Sequence, residues 1–226
     1  MTRRQIRRRA AAERGVTELG WLHGRHTFSF GDYHDPKQMG FRSLRVINDD
    51  VIEPGGGFGT HPHRDMEIFT YVIEGELEHK DSMGNGRVLR AGDLQYMSAG
   101  SGVRHSEFNP SATNRTHLLQ IWIRPRDPGG LPHYAEQSVA GTTGLTPLFA
   151  GRHRAAAKLY FARVARGETV MVPVEPGYGV WVQVITGAVR ADGAELQPGD
   201  GAAMEGDAAV ELAAMECAEM LVFVVK

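Results

Sequence analysis

The chain reads Tyr71-Val72-Ile73-Glu74-Gly75-Glu76-Leu77 near the end of its first third, and the pattern of this segment decides the fold. An apolar strand ends at a glycine, and a Gly-Asp turn and another strand follow in Arg90-Ala91-Gly92-Asp93-Leu94-Gln95-Tyr96-Met97. The same order recurs in Gln183-Val184-Ile185-Thr186-Gly187-Ala188-Val189 and Gln197-Pro198-Gly199-Asp200-Gly201-Ala202-Ala203-Met204. Two copies of one β-barrel explain such a repeat. The alternative is a chance similarity between two glycine-rich β segments.

Short apolar runs and turn residues alternate along the rest of the chain. The runs at 41–48, 117–123, 210–214 and 220–225 have the length and composition of strands. The 28 glycines punctuate these runs at short intervals, which favours an all-β architecture over a helical one.

The domain division follows from a change of character after the first set of strands. The stretch 125–154 is rich in proline and glycine and has little periodic apolar content. We therefore predict an N-terminal metal-binding barrel at 1–130, a connector at 131–155, and a C-terminal barrel without a metal site at 156–226.

Charge and composition exclude several classes of function. The net charge of −2 gives no overall bias toward nucleic acid, and no run approaches the roughly 18 apolar residues of a membrane span. The five arginines among residues 3–9 could form an arm for RNA or DNA, but a solvated end that leads into a first strand is the simpler interpretation. Cys217 is the only cysteine, which excludes intrachain disulfides and favours the cytoplasm; we expect it to be buried in its apolar run.

His61-Pro62-His63 and His105-Ser106-Glu107 are the residues that indicate chemistry. On a strand, residues i and i+2 point to the same face, so each tripeptide can direct two ligand side chains into a barrel interior. If the two strands are neighbours, four ligands converge on one point. A single His-x-His could be a surface accident, but two such tripeptides between glycine-rich turns favour a metal site.

The ligand types restrict the metal. Three imidazoles and one carboxylate suit iron, nickel, manganese, cobalt, copper or zinc, and lack the oxygen-rich shell of calcium or magnesium. Four protein ligands leave two octahedral positions open, which implies chemistry rather than a purely structural role. The other histidines are expected to be hydrogen-bonded or exposed; they are His23, His26, His34, His79, His117, His133 and His153. No histidine follows His153, so the C-terminal barrel cannot repeat the site.

The sequence resembles a known family at this point. His61-Pro62-His63 with Glu67, and later Gly92-Asp93 with His105-x-Glu107, are similar to the two cupin motifs. The stretches 26–33, 61–67, 78–85 and 98–107 resemble the pirin family more narrowly, and the bacterial pirin-like proteins described as quercetin 2,3-dioxygenases in particular. The resemblance runs from about Trp21 to Trp122. It implies an all-β bicupin fold, that is, two cupin-type β-barrels of the double-stranded β-helix or jelly-roll kind.

The resemblance also implies site residues and an activity. The pirin ligands fall on His61, His63, His105 and Glu107, whereas many other cupins take a carboxylate ligand from the position of Glu67. The implied activity is a metal-dependent dioxygenase that cleaves flavonol-like phenols, with one divalent metal, Fe(II) before the other ions. Glu107 is the expected catalytic base, and the expected partners are a small phenolic substrate and dioxygen.

Two other classes of function stay open. Some proteins that resemble pirin are redox-responsive, metal-containing binding modules that act as transcriptional or metabolic regulators and take a protein partner. Metal-assisted isomerisation or hydrolysis also uses open cupin sites. We expect a cytoplasmic monomer that binds neither membrane nor nucleic acid.

Overall fold

The computed structural model describes residues 5–206 and 208–226; Arg3 and Arg4 of the predicted basic arm lie outside them. A 3₁₀ helix at Ala11–Glu13 is the only helix of this part of the chain. The strands are β1 (Gln5–Arg9), β2 (Gly15–Glu18), β3 (Leu22–His26), β4 (Leu44–Ile52), β5 (Gly57–His63), β6 (Glu67–Glu74), β7 (Glu76–Asp81), β8 (Gly86–Arg90), β9 (Asp93–Ser98), β10 (Val103–Phe108), β11 (Thr116–Ile123), β12 (His133–Ser138), β13 (Gly144–Leu148), β14 (Ala157–Val164), β15 (Thr169–Val172), β16 (Gly179–Thr186), β17 (Val189–Ala191), β18 (Ala194–Leu196), β19 (Gly201–Glu205), β20 (Val210–Ala214) and β21 (Ala218–Val225).

Four antiparallel sheets form two barrels. In the N-terminal barrel a seven-stranded sheet, in the order β12-β9-β6-β11-β4-β3-β2, faces a four-stranded sheet, β5-β10-β7-β8. In the C-terminal barrel a six-stranded sheet, β1-β19-β16-β21-β14-β13, faces the four-stranded β15-β20-β17-β18. The predicted all-β architecture of two barrels is confirmed.

The glycines of the sequence repeat have the same structural role in both barrels. Gly75 and Gly187 have positive φ angles of 78° and 68°. A Cβ at Gly75 would lie 2.3 Å from the carbonyl oxygen of Arg115, and one at Gly187 would lie 2.2 Å from that of Cys217. Both turns therefore require glycine, for its backbone angle and for the close approach of the next chain segment.

The N-terminal strand and the predicted connector cross between the barrels. β1 pairs with β19, so it belongs to the C-terminal sheet although the prediction placed residues 1–130 in the N-terminal barrel. The segment 131–155 contains two strands: β12 pairs with β9 of the first barrel, and β13 pairs with β14 of the second. The other domain boundaries stay a prediction.

The arginines of β1 contact both barrels. Arg8 donates to Asp200 of the second barrel at 2.9 Å. Arg9 is buried, and its guanidinium contacts the carbonyl oxygen of Thr27 and the hydroxyl of Tyr33, both in the first barrel. The described part of the arginine run is therefore a strand with structural contacts, which agrees with the simpler interpretation of the sequence.

The two barrel interiors differ in chemistry. The interior of the C-terminal barrel is one apolar cluster of aliphatic residues such as Val182, Ala202 and Val222. The N-terminal barrel has two separate apolar clusters, one around Leu118 and one around Ile68. A polar layer lies between these two clusters. A third cluster, largely aromatic, joins the barrels to each other.

Two smaller findings concern Cys217 and membrane-spanning helices. Cys217 is exposed, contrary to prediction, because it lies in the turn between β20 and β21 rather than in a strand. Within residues 5–206 and 208–226, no helix has the length and apolar character needed to cross a membrane.

Candidate metal centre

The two predicted tripeptides lie side by side on β5 and β10. The strands are antiparallel, with His105 opposite His61 and Val103 opposite His63. The three imidazole rings form a nearly equilateral triangle with centroid distances of 4.5, 4.8 and 4.8 Å. The structure thus brings together the three histidines that the sequence singled out. One potential ligand atom from each lies within 4.8 Å of those of the other two.

A β-bulge directs one end of this group. The register shifts between His105 and Glu107, so that the extra residue lies in β5, between Phe58 and His61. A bulge changes the facing of the residues on its two sides, which lets Phe58 and His61 both face the interior. The Nδ1 atom of His61 donates to the carbonyl oxygen of Gly59 at 2.8 Å, which leaves Nε2 with a free lone pair for a metal.

Side chains of the seven-stranded sheet hold Glu107 in place through hydrogen bonds. Its Oε1 accepts hydrogen bonds from Gln95 Nε2 at 3.0 Å and Thr70 Oγ1 at 3.3 Å. Its Oε2 accepts one from Gln120 Nε2 at 2.8 Å. These donors are register neighbours, because Gln120 lies opposite Thr70 and Thr70 lies opposite Gln95. Asn48 continues the row on β4, opposite Gln120.

The corresponding row of the C-terminal barrel is almost entirely apolar. Counting from the repeat glycines and aspartates, Val182 occupies the position of Thr70, and Ala202 that of Gln95. Val222 lies opposite Val182, as Gln120 lies opposite Thr70. The second barrel therefore lacks both the histidines and the donors that orient a carboxylate, as the sequence predicted for the histidines.

Burial controls the protonation of the candidate ligands. It lowers the pKa of His63 to about 4 and that of His105 to about 2, with a further contribution from the neighbouring imidazoles. Burial raises the pKa of Glu107 to about 7, although Thr70, Gln120 and Gln95 donate hydrogen bonds that favour the ionised form. Near neutral pH the imidazoles of His63 and His105 are therefore neutral, as metal binding requires.

These residues fit a divalent transition metal. Both ring nitrogens of His105 are buried and have no hydrogen-bond partner, which is costly for a polar group unless it binds a ligand. Glu107 is only 3% exposed, and its hydrogen bonds come from neutral groups. A cation bound between these groups would take up one of the two unpartnered nitrogen atoms of His105 and compensate the buried charge.

Glu67 faces away from this site. It is buried, and it accepts hydrogen bonds from the hydroxyl of Tyr96 and from Ser98 Oγ. Side chains alternate along β6, so Glu67 and Phe69 point toward the core between the barrels, whereas Thr70 points into the N-terminal barrel. The register of one strand thus separates Glu67 from the histidines.

His79 is a site residue that the sequence analysis did not select. It lies on β7 opposite Glu107, is fully buried, and stacks on Tyr134 at 5.0 Å. As predicted, it is hydrogen-bonded, since its Nε2 lies 3.2 Å from Asp81 Oδ2. Its ligand atom also forms a close group with those of His105 and Glu107. The signal that pointed to it was its place in the stretch 78–85 that resembles the family.

A pocket of about 270 Å³ opens onto His61, His63 and Glu107. Apolar and aromatic side chains, including Phe30, Phe58 and Trp122, supply most of its wall. His26 also lines it, whereas His34 is exposed and does not. The volume and the flat aromatic walls suit a small planar ligand that reaches the histidine cluster.

Asp50 is a further polar residue of the pocket, which the sequence analysis missed. It lies on β4 two residues after Asn48 and is 4% exposed. Burial, with a smaller contribution from the negative charges of Asp49 and Glu107, raises the pKa of Asp50 to about 8.

Family models match both halves of the chain. The pirin model covers residues 6–123, and the model of the quercetinase C-terminal cupin domain covers residues 154–225. The chain belongs to the pirin family. These matches identify both cupin domains of this bicupin. In the sequence analysis, the second half resembled a cupin domain only in its overall pattern.

Relatives match over nearly the full length. Quercetin 2,3-dioxygenase of Escherichia coli strain K12 is 45% identical over 222 residues, covering 95% of this chain and 96% of the relative. The crystal structure of YhhW from Escherichia coli has a TM-score of 0.95 at 44% identity and covers 98% of both chains. YhhW has also been solved as a bacterial pirin in complex with nickel(II), with a TM-score of 0.94, 44% identity, and coverage of 98% of this chain and 99% of that one. The predicted similarity to quercetin 2,3-dioxygenase-type oxidoreductases is confirmed.

Metal binding by this pirin is expected to depend on pH through Glu107. Its raised pKa means that the side chain carries a proton below about pH 7, and a metal must displace that proton. We expect release of close to one proton per ion at pH 6 and about a tenth of one at pH 8, with affinity rising about tenfold per pH unit up to 7. Calorimetric titration of the metal-free protein with zinc(II), in buffers of different ionisation enthalpy, measures this release. Glu107→Gln supplies the baseline, and an identical proton release in wild type and variant would contradict the assignment.

Proposed function

We propose that this pirin is a metal-dependent dioxygenase that cleaves flavonol-like phenols, with the metal held by His61, His63, His105 and Glu107. One observation carries the proposal: the imidazoles of His61, His63 and His105 cluster beside an aromatic-walled pocket that His61, His63 and the buried Glu107 line, and a carboxylate oxygen of Glu107 lies close to a ring nitrogen of His105. The family and the similarity to quercetin 2,3-dioxygenase support the substrate class.

The pocket geometry supports a planar substrate that enters with an oxygen atom foremost. Phe58, beside His61, and Trp122, beside His63, provide flat apolar surfaces in the pocket wall. A flavonol places a hydroxyl group beside a carbonyl at one edge of its ring system. These walls would hold the ring plane and direct that edge toward the histidines, while excluding bulk water.

Glu107 is the proposed catalytic base. Its two carboxylate oxygens are positioned by Gln95, Thr70 and Gln120, so the side chain cannot rotate freely. When bound, a divalent metal would act as a Lewis acid that lowers the pKa of a coordinated hydroxyl. Burial keeps the pKa of Glu107 near neutrality, which suits a group that accepts a proton from such a hydroxyl.

Fe(II) is the metal that we propose first, with nickel, manganese, cobalt, copper or zinc as alternatives. Imidazole and carboxylate ligands accept all of these ions. The nickel(II) complex of YhhW supports nickel among them. The proposal includes one ion per chain, dioxygen as co-substrate, and a cytoplasmic monomer.

The test is oxygen uptake with quercetin. Metal-free protein is reloaded separately with each of the six ions, and oxygen consumption is followed together with the loss of quercetin absorbance. We expect turnover with at least one ion and none with His61→Ala. His34→Ala is the matched control, because His34 is exposed and lies outside the pocket, so its turnover should equal that of the wild type.

Absence of uptake with every loaded form would reject the dioxygenase proposal for quercetin. The regulatory alternative would then gain weight. It predicts a protein partner captured only by the oxidised metal-loaded form, and capture unaffected by metal removal would count against it. An activity without oxygen dependence would favour isomerisation or hydrolysis instead.

A further inference from the structure

Asp50 is a buried acid that none of its neighbours satisfies. Its Oδ1 has no hydrogen-bond partner among the described residues. The side chain lines the same pocket as His61 and Glu107. A buried carboxyl group without a partner is destabilising, so its presence requires an explanation.

The surrounding side chains provide no donor for it. Across the sheet, Asp50 lies opposite Gly24 on β3 and Leu118 on β11, and neither has a polar side chain. The nearest polar pair in the row is already engaged, because His26 Nδ1 donates to Asn48 Oδ1 at 2.8 Å. His26 Nε2 is engaged as well, at 2.8 Å from Thr17 Oγ1.

The basic side chains near this strand pair with a residue on its other face. Asp49, the preceding residue, pairs with Arg14 at 2.8 Å and with His117 at 2.6 Å. Successive residues of a strand point to opposite faces, so these side chains engage Asp49 and not Asp50. The interior carboxyl group is therefore without a charge partner.

Gly24 leaves space beside this carboxyl group. A Cβ at Gly24 would lie 2.8 Å from Asp50 Oδ1 and 3.3 Å from His26 Cε1. The φ angle of Gly24 lies outside the positive range, so the backbone does not itself require glycine. The absent side chain instead makes room for Asp50 Oδ1, which packs against Gly24.

We infer that Asp50 binds a hydroxyl group of the ligand at a position remote from the atom that reaches the histidines. The ligand class is then a polyhydroxylated planar aromatic compound rather than a phenol with a single polar edge. The inference rests on the proposed function for the orientation of the ligand. The carboxyl oxygen can accept a hydrogen bond whether or not the acid is ionised.

The experiment compares two ligands that differ only in the hydroxyl groups beyond the 3-hydroxyl group. Quercetin and 3-hydroxyflavone share the hydroxyl-carbonyl edge, but only quercetin has further hydroxyl groups. Their affinities for zinc(II)-loaded protein are measured without oxygen, by the change in flavonol absorbance. We expect the wild type to prefer quercetin by about threefold to tenfold, as for one hydrogen bond to a buried acceptor.

Four variants locate the preference. Asp50→Leu removes the hydrogen-bonding group, and Gly24→Ala places a methyl group against it; both should bind the two flavonols equally. Asp50→Asn keeps an acceptor of the same shape and should retain the preference. Asp49→Leu is the matched control, the same substitution one residue away on the opposite face. Zinc content and thermal unfolding verify that each variant is folded and loaded.

Equal affinity of the wild type for the two flavonols, or an unchanged preference in Asp50→Leu, would overturn the inference. Its failure differs from failure of the proposed function. If quercetin is bound preferentially through Asp50 but not oxidised by any metal form, the binding role stands and the dioxygenase proposal falls. If both flavonols are oxidised but bound equally, the dioxygenase stands and the role of Asp50 falls.

Discussion

Replacing His105 with alanine is expected to abolish metal binding and turnover, one of the largest effects expected of a single substitution in this chain. His105 belongs to both close groups of potential ligands, that with His61 and His63 and that with His79 and Glu107. His105 is 1% exposed, so its removal would leave a buried cavity at the position of the ligand. Loss of an outer partner of a ligand costs 10- to 100-fold in affinity, so loss of the ligand itself should weaken metal binding by at least about 100-fold.

Two further variants distinguish the overlapping groups. His63→Ala should lose metal as His105→Ala does. His79→Ala should keep it with affinity reduced by no more than about 100-fold, as for an outer partner. The reason is that His79 lies outside the close group formed by His61, His63 and His105, and Tyr134 stacks on its ring. Metal content after dialysis against a competing chelator measures all three, with His34→Ala as the control for the substitution itself.

The opposite ranking of metal retention by these two variants would indicate a metal site at a different place in the barrel. If His79→Ala lost the ion and His63→Ala kept it, the ligands would be His79, His105 and Glu107, and the pocket-facing His63 would be free for substrate. His105→Gln, which preserves side-chain volume, separates loss of the ligand from loss of packing. Both His105 variants should lose metal while unfolding cooperatively.

Strand periodicity was sufficient to predict which histidines meet. Because His61 and His63, and likewise His105 and Glu107, are two residues apart, each pair had to face one side of its strand. Gly75 and Gly187 similarly predicted equivalent turns in two barrels. These inferences depend on short-range geometry, which the sequence states directly.

Register and long-range pairing could not be predicted in the same way. The row that supports Glu107 depends on Gln120 lying opposite Thr70, and residues 50 positions apart carry no local signal of such a pairing. The sequence likewise gives no sign of the bulge that turns Phe58 toward the pocket, since Gly59 has ample space for a side chain and need not be a glycine. Asp50 was overlooked for a related reason: next to Asp49 it looks like a solvated acidic pair, and only the sheet shows that the two face opposite ways.

The pairing of β1 with the second barrel could not be predicted from composition. The arginine run of residues 3–9 suggested either a nucleic-acid arm or a solvated end. Arg8 has its partner 192 positions away, at Asp200, which already forms the turn of the second barrel by accepting from the backbone of Gln197. A charge pattern alone cannot reveal a partner at that distance.

Replacing Glu107 with glutamine is expected to lower turnover by about 10²- to 10⁴-fold, even where the metal site is filled. Glutamine has nearly the same shape, but it cannot accept a proton near neutral pH. Its NH₂ group would also face the donors of Gln95 and Gln120, where the carboxylate now accepts three hydrogen bonds. Metal affinity should fall as well, because a neutral amide oxygen is a weaker ligand than a carboxylate.

The measurement must separate these two effects. Turnover of quercetin is compared at metal concentrations that fill the site in both proteins, with occupancy determined in the same samples. Glu67→Gln is the matched control: the same substitution in another buried glutamate of this barrel, which accepts from Tyr96 and Ser98 on the opposite face of β6. It should retain metal and turnover.

The pattern of the two variants decides where the catalytic carboxylate lies. Full turnover of Glu107→Gln with normal metal content would remove its role as base. A loss confined to Glu67→Gln would restore the carboxylate position that many other cupins use. The register of β6 argues against that second result, because moving Glu67 into the barrel would require a one-residue shift that turns Ile68, Thr70 and Val72 out of it. Such a shift would remove Thr70 from Glu107 and expose the apolar clusters on both sides, so the strand pairing that builds the barrel also selects Glu107.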